Sequence, residues 1–197
     1  MEFHEPLRVG DQVERRSRIA AIKSKHGTSG QLVFVEVQHE IRTAVALCLQ
    51  ERQSIVYRSP PSPGLAPAGR EEGTSSSEAD VFRTIYPSEA LLFRYSALTF
   101  NSHRIHYDRP YATEQEGYAG LVVQGPLTAT LLLDLARQEL GEHALSSFSF
   151  RGVSPAIAGE DLTLSLSVLE GGAIMNAAGA QGRSVMTAHA ALSCPHR

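Results

Sequence analysis

Cysteine is scarce in this chain: only Cys48 and Cys194 occur among its 197 residues, and their separation matches no metal-binding motif. Two thiols in a chain of this length favour a reducing compartment. The N-terminus has no basic segment followed by an apolar one, so we expect no secretion signal. These absences predict a soluble, cytoplasmic globular protein, with 42% hydrophobic residues to build its core.

The chain also lacks an excess of positive charge and phosphate-binding loops. The net charge of −3 and the pI of about 6.2 argue against nucleic acid or an anionic membrane as the main partner. No Gly-x-Gly-x-x-Gly loop, Walker loop or Gly-x-Ser-x-Gly elbow is present. The most apolar stretch covers about fifteen residues, whereas a transmembrane helix needs about twenty. The sequence therefore predicts neither a nucleotide cofactor nor a membrane span.

That apolar stretch predicts one buried helix. Pro126 suits the first helical turn, where a missing N–H costs nothing, and Gly141 suits the stop just past the last turn. Leu127, Leu131 and Leu135 recur every four residues, and further apolar residues occupy the other faces. A helix that is apolar nearly all round has to be buried, so we expect the rest of this half to wrap around it.

Two-residue alternation predicts strands on either side of a linker. The segments are 13–22, 32–41 and 47–56 in the first part, and 82–86, 162–168 and 185–193 in the second. Four prolines, three glycines and a serine run mark residues 59–80 as a mobile linker. We therefore predict a partial domain over 1–58 and a second, larger domain over 81–197. Together they form an α+β fold with an antiparallel sheet around one helix.

The two parts share an internal repeat. Residues 6–13 align with residues 155–162 at a constant offset of 149, and predicted strands follow each copy. The first part therefore looks like the closing strands of a unit whose helix and polar motif occur only in the second part. A chance match of a Pro-x-x-x-Gly-acid turn is the alternative.

A polar motif, Leu-Thr-Phe-Asn-Ser-His-Arg-Ile-His-Tyr-Asp, lies ahead of the helix at residues 98–108. With the helix, the wrapped sheet and the repeat, it resembles the MaoC-like hydratases and dehydratases of the double hotdog fold. Within these it is similar to the hydroxyacyl-thioester dehydratase type 2 branch. His106 matches the catalytic histidine of the family, and Asn101 stands where its catalytic aspartate usually is. The sequence differs from the family in its first half, where most double hotdog relatives carry a helix and this sequence predicts only strands.

The resemblance implies that water is added to, or removed from, an acyl-CoA thioester, which is the substrate, with no further cofactor. His106 is the expected acid/base because its unperturbed pKa, about 6.5, lies near working pH. Asn101 does not titrate and is expected to hold the water. The Gly125 N–H, at the helix start, is expected to bind the thioester carbonyl. The other residues expected at the substrate are His103, Arg104, Tyr107, Arg109, Val123 and Gln124.

Two arginines in the motif region bear on the acyl group. A guanidinium pairs with a carboxylate through two parallel hydrogen bonds. Arg104 and Arg109 therefore favour a short, branched acyl-CoA with a free carboxylate, of the itaconyl or mesaconyl kind. A role for Arg104 in bracing its own loop is the alternative.

Other interpretations of these residues remain open. His103, His106 and Asp108 could hold a metal, although a third His or Cys is not nearby, and we expect no metal. His106 could also be a hydrogen-bonded core residue.

The alternative functions are a fatty-acid-type dehydratase, a thioesterase of the same fold and a non-catalytic thioester-binding subunit. A sheet without its own helix predicts a homodimer or larger assembly, or a complex with a chain that supplies the missing portion.

Overall fold

The computed structural model describes residues 1–27, 30–58 and 79–193, which group into two compact units. The first unit is Met1–Pro60 with Leu145–Phe148, and the second is Pro61–Ala144 with Ser149–Arg197. The linker predicted at 59–80 lies, except for its last two residues, outside the described part of the chain. Within the described ranges, no helix is both long enough and apolar enough to cross a membrane.

The first unit is a sheet of antiparallel strands. They are β1 (Glu2–Phe3), β2 (Glu14–Gly27), β3 (Gly30–Arg42) and β4 (Leu47–Arg58). The strand order is β2-β3-β4-β1, and residues 145–148 continue the sheet beside β1. The three long strands lie where the two-residue alternation predicts them, and they end five residues (β2), one residue (β3) and two residues (β4) beyond the predicted ends. The described residues of this unit contain no helix.

The second unit combines strands with two helices. In chain order it contains β5 (Val81–Ile85), α1 (Glu89–Thr99), a 3-10 turn (Arg104–His106), a π-helical turn (Tyr111–Gln115), α2 (Gly125–Leu140), β6 (Leu145–Gly152), β7 (Leu162–Leu169), β8 (Gly172–Ala178), a second 3-10 turn (Ala180–Gly182) and β9 (Ser184–Leu192). The strand order is β6-β9-β8-β7-β5, and β5, β7, β8 and β9 pair antiparallel. The first half of β6 belongs to the first unit.

Helix α2 runs over the predicted residues and lies against β7, β8 and β9. Its Leu132 and Leu135 are fully buried, and so are Leu164 and Leu166 of β7. Removing one such leucine from water is worth about 1.5–3 kcal/mol, so this layer is a main source of stability. Leu131 is only half-buried, so the helix is not enclosed on every side. An α+β hotdog, with an antiparallel sheet packed around one helix, is thereby confirmed.

Helix α1 corrects the prediction, which placed the polar motif directly after the strand at 82–86. Ser88 caps the helix, since its Oγ accepts the Leu91 N–H at 3.2 Å. Phe100 ends it in the left-handed region at φ 53°, and its N–H returns to the Ser96 carbonyl. Apolar side chains occur on the outside of this helix as well, with Leu98 81% exposed. The one-sided periodicity that would have predicted it is therefore missing.

The turns at the start of each repeat have the same geometry. The turn at residues 8–11 closes with a hydrogen bond from the N–H of its last residue to the carbonyl of its first, at 3.0 Å. The turn at residues 157–160 closes in the same way at 3.3 Å. Gly10 and Gly159, at the same place in the two turns, have positive φ values of 99° and 87°.

The backbone donors ahead of these turns also repeat at the offset of 149, and their acceptors lie on β4 in the first unit and on β9 in the second. The N–H groups of residues 4 and 5 both donate to the Cys48 carbonyl, at 2.9 and 3.4 Å. Those of residues 153 and 154 both donate to the Val185 carbonyl, at 2.8 and 3.3 Å. A three-strand meander follows each turn: β2 to β4 in the first unit, β7 to β9 in the second. These contacts support duplication of one structural unit over a chance match.

Candidate active site

His106 lies in the 3-10 turn of the polar motif and is 7% exposed. Its Nδ1 lies 2.7 Å from the carbonyl oxygen of Val122. Because a carbonyl only accepts, Nδ1 carries the proton, and in the neutral ring Nε2 keeps its lone pair.

The surroundings of His106 also set its charge. Burial lowers the pKa of His106 below its ordinary value of 6.5. The hydrogen bond to Val122 opposes that shift, and nearby His103 adds to it. The ring is therefore neutral at pH 7, which is the protonation state that a general base needs.

The segment from Val122 to Gly125 connects this histidine to the start of α2. The Val122 N–H donates to the Ile105 carbonyl at 2.9 Å, while its own carbonyl holds the His106 ring. Three residues farther on, Gly125 opens α2, where free backbone N–H groups concentrate positive partial charge. One short hydrogen-bonded segment therefore fixes both the buried imidazole of His106 and the backbone N–H groups at the start of α2.

Gly125 faces open space. A Cβ built on it would have no neighbouring protein atom within 4 Å, and the residue is exposed. Gly120 differs, because its Cβ would lie only 2.9 Å from Cγ2 of Ile157. Packing therefore requires glycine at 120, whereas nothing in the described chain requires it at 125.

Asn101 is held by the backbone at the end of α1. Its N–H donates to the Ser96 carbonyl at 2.9 Å, and its Oδ1 accepts the His103 N–H at 3.1 Å. The side chain is half-buried. A carboxamide has two donor and two acceptor positions, so this bond leaves it capacity to hold a water.

Val123 and Gln124, predicted to contact substrate, are both buried. Gln124 is 0% exposed, and its Nε2 donates to the Leu92 carbonyl and to Ser96 Oγ, each at 2.9 Å. Its Oε1 is buried and has no hydrogen-bond partner within the described ranges. The structure thus places Gln124 between α1 and the start of α2, and its contact with a substrate stays a prediction.

The two arginines each have an acidic partner. Arg104 donates to Asp108 Oδ2 through Nε at 3.0 Å and Nη2 at 2.7 Å, and its guanidinium lies 4.1 Å from the Tyr111 ring centre. The Arg104 hydrogen bond is the main cause that lowers the pKa of Asp108. Arg109 pairs with Glu89 in the first turn of α1. These contacts brace the loop, and binding of a substrate carboxylate by either arginine stays a prediction.

His103 and Tyr107 are exposed. The Tyr107 hydroxyl donates to a backbone carbonyl of its own loop at 2.9 Å, and the His103 ring lies edge-on to His106 with centroids 5.5 Å apart. In the part of the chain that the structure describes, no group of three or more His, Cys, Asp or Glu side chains is arranged to hold a metal ion. Asp108, the third ligand of the metal alternative, is engaged in the ion pair described above.

Sequence reasoning missed two groups that organise the site, the Val122 carbonyl and Ser96. A backbone acceptor leaves no trace in a sequence, and Ser96 lies on the helix that was not predicted. Ser88 followed by Glu89 is the signal that could have revealed that helix, since a capping serine and an acidic first turn are typical of a helix start.

A helix packed on an antiparallel sheet is the arrangement of the hotdog fold, and here a buried histidine and an asparagine precede that helix. The solved structure of a MaoC-like dehydratase from Phytophthora capsici has this fold, with a TM-score of 0.76 at 14% identity. The match covers 99% of this chain and 70% of that one.

The chain belongs to the hydroxyacyl-thioester dehydratase type 2 family, which matches residues 1–158. It is 48% identical over 155 residues to the mesaconyl-C(4)-CoA hydratase of Chloroflexus aurantiacus, covering 79% of this chain and 54% of that protein. It is 32% identical over 123 residues to the mitochondrial hydroxyacyl-thioester dehydratase type 2 of Schizosaccharomyces pombe, covering 61% and 40%. The chain thus spans about half the length of these curated relatives. The family resemblance seen in the motif is confirmed.

Proposed function

We propose that this chain carries the catalytic site of a hydratase/dehydratase that adds water to, or removes it from, the double bond of an enoyl-CoA. The observation that carries the proposal is the buried, neutral His106, held through Val122 at the start of α2. Membership of the dehydratase family and the similarity to a hydratase support it.

In the hydration direction, His106 Nε2 takes a proton from a water while the water oxygen bonds to the β-carbon of the thioester. The electron pair of the double bond shifts toward the thioester carbonyl and forms an enolate. The enolate oxygen accepts the Gly125 N–H at the positive end of α2. A proton then returns from the imidazolium to the α-carbon, which regenerates neutral His106. Asn101 holds the attacking water through its carboxamide.

The acyl group in this proposal is short, branched and carries a carboxylate, as in mesaconyl-C4-CoA or itaconyl-CoA. The 48% identity to a mesaconyl-C(4)-CoA hydratase favours it. Arg104 is the proposed partner of that carboxylate. Its bonds to Asp108 use Nε and Nη2, so Nη1 can still donate to a substrate.

Steady-state rates on a substrate panel test the acyl group. The panel is mesaconyl-C4-CoA, itaconyl-CoA, crotonyl-CoA and an enoyl-CoA of eight to ten carbons, followed by loss of enoyl-thioester absorbance. We expect the two acids to have the highest kcat/KM. A long enoyl chain as best substrate would favour the fatty-acid-type dehydratase.

Two variants separate substrate binding by Arg104 from loop bracing. Arg104→Leu and Asp108→Asn both break the loop ion pair, but only the first removes the guanidinium. Carboxylate binding predicts that Arg104→Leu lowers kcat/KM more for the two acids than for crotonyl-CoA. Expressed as transition-state free energy, the difference between these losses should be about 2–5 kcal/mol. Asp108→Asn should spare that preference. Equal losses on all substrates with both variants would leave Arg104 with a bracing role only.

The same proposal involves no cofactor, because the chain supplies both the acid/base and the donors.

The cytoplasmic location and the dimer or larger assembly expected from the sequence remain part of the proposal. Apolar side chains of β2, among them Ile19 and Ile22 at 63% and 64% exposed, offer surface that such an assembly would cover.

A further inference from the structure

We propose that Gln124 is a positioning residue, which fixes Asn101 relative to His106 and the start of α2; the inference rests on the proposed hydration chemistry. Gln124 is wholly buried and forms the N-terminal boundary of α2. It does not cap the helix with its side chain, which instead reaches across to α1.

Ser96 is hydrogen-bonded to both Gln124 and Asn101. Its Oγ accepts from Gln124 Nε2, and its backbone carbonyl accepts the N–H groups of Phe100 and Asn101. The last turn of α1 and Asn101 of the motif are therefore connected to residue 124. His106 is bound to residue 122 through the carbonyl of Val122. Two anchoring residues, two positions apart on one segment, thus hold the proposed base and the proposed water-binding amide in fixed positions.

The orientation of the Gln124 amide follows from its partners. The Leu92 carbonyl can only accept, so the nitrogen has to face α1 and the oxygen has to face away. That leaves Oε1 buried without a partner in the described chain, an arrangement that natural proteins rarely keep without a reason. A leucine at this position would avoid the orphaned oxygen, but it would leave α1 without its tie.

The proposal predicts a loss in kcat rather than in binding. Asn101 acts on the water in the transition state, and a misplacement of about 1 Å at a reacting group can cost about 100-fold. Gln124→Leu should therefore lower kcat by about 10–100-fold and change KM little. Ser96→Ala, which removes only the hydroxyl, should show a smaller loss of the same kind. Ser96→Ala also tests the positioning role if the Gln124→Leu protein does not fold.

Thr128→Val is the matched control. Thr128 is 1% exposed on the same helix, and its hydroxyl donates to the Gln124 carbonyl at 3.5 Å. The variant removes a buried polar group of α2 without touching the tie to α1. We expect kcat to stay near that of the parent, whatever happens to the melting temperature.

The decisive measurement combines a double mutant with amide exchange. If Gln124 acts through Asn101, the kcat loss of Gln124→Leu should shrink in an Asn101→Ala background. Hydrogen exchange at the Asn101 N–H should rise in Gln124→Leu and stay unchanged in Thr128→Val. Independent, multiplying kcat losses would overturn the positioning role, and so would unchanged exchange. A parent with no turnover on any enoyl-CoA would instead overturn the proposed function, and the exchange result would still decide the contact.

Discussion

The Gly125→Ala variant tests whether residue 125 has to be glycine because substrate approaches it, whereas residue 120 has to be glycine because of packing. The added methyl meets no atom within 4 Å other than those of its chain neighbours and its own helix backbone. Alanine is favoured over glycine in helices by about 0.5–1 kcal/mol, although the first helical position realises only part of this. Pro126 offsets that gain, because a proline ring disfavours the helical conformation of a preceding residue that has a Cβ. The variant should therefore stay close to the parent in stability, with a change in melting temperature within about 2–4 °C for a chain of this size.

Activity, in contrast to stability, should fall. An enolate oxygen bound to the Gly125 N–H has to approach within about 3 Å, into the open space that the new methyl would partly occupy. Losing one such donor typically lowers kcat by about 10²–10³-fold, or about 2.7–4 kcal/mol of transition-state stabilisation. We expect Gly125→Ala to fall within that range or somewhat below it, because a methyl crowds the donor without removing it.

Gly120→Ala is the contrasting variant. Its methyl would lie 2.9 Å from Ile157, so the core has to shift, at a cost of about 1–3 kcal/mol. Thermal unfolding and the initial rate at saturating enoyl-CoA, measured on both variants, give the two readouts. A Gly125→Ala protein that is stable and fully active would remove the Gly125 N–H from the mechanism.

Further predictions concern the base and the water-holding amide. His106→Ala should lower kcat by about 10²–10⁴-fold with an unchanged circular dichroism spectrum, and Asn101→Ala should lower it less; a His106→Ala enzyme near the parent rate would contradict the assignment. Because burial lowers the pKa of His106 below 6.5, kcat/KM should be level above pH 7 and should fall at lower pH as the imidazole takes up its proton. A pH–rate profile with its acidic midpoint above 6.5 would contradict a buried, neutral base.

The elements that the sequence could predict are those whose terminal residues and apolar pattern match their position in the fold. Helix α2 has a proline in its first turn, a glycine after its last residue and leucines throughout. Strand β7 alternates without a fault and has one face in the core. The repeat could also be recognised, because Gly10 and Gly159 mark turns that need a positive φ.

The parts that could not be predicted depend on tertiary contacts. Helix α1 was hidden because apolar residues such as Leu98 face outward. The buried position of Gln124 follows from the packing of α1, which a single polar residue beside a glycine does not indicate. The ion pair of Arg104 with Asp108, by contrast, has the i,i+4 spacing at which opposite charges meet on a helical turn, and it could have been foreseen.

The most direct test of the central claim is turnover of mesaconyl-C4-CoA in oxygen-18 water, with the products analysed by mass spectrometry and free thiol measured in parallel. Hydration with His106 as the base predicts one oxygen-18 atom in a new hydroxyl group of the acyl chain and an intact thioester, and it predicts that His106→Ala forms this product about 10²–10⁴-fold more slowly. Oxygen-18 in a released carboxylate, together with stoichiometric free coenzyme A, would show a thioesterase and would contradict the account.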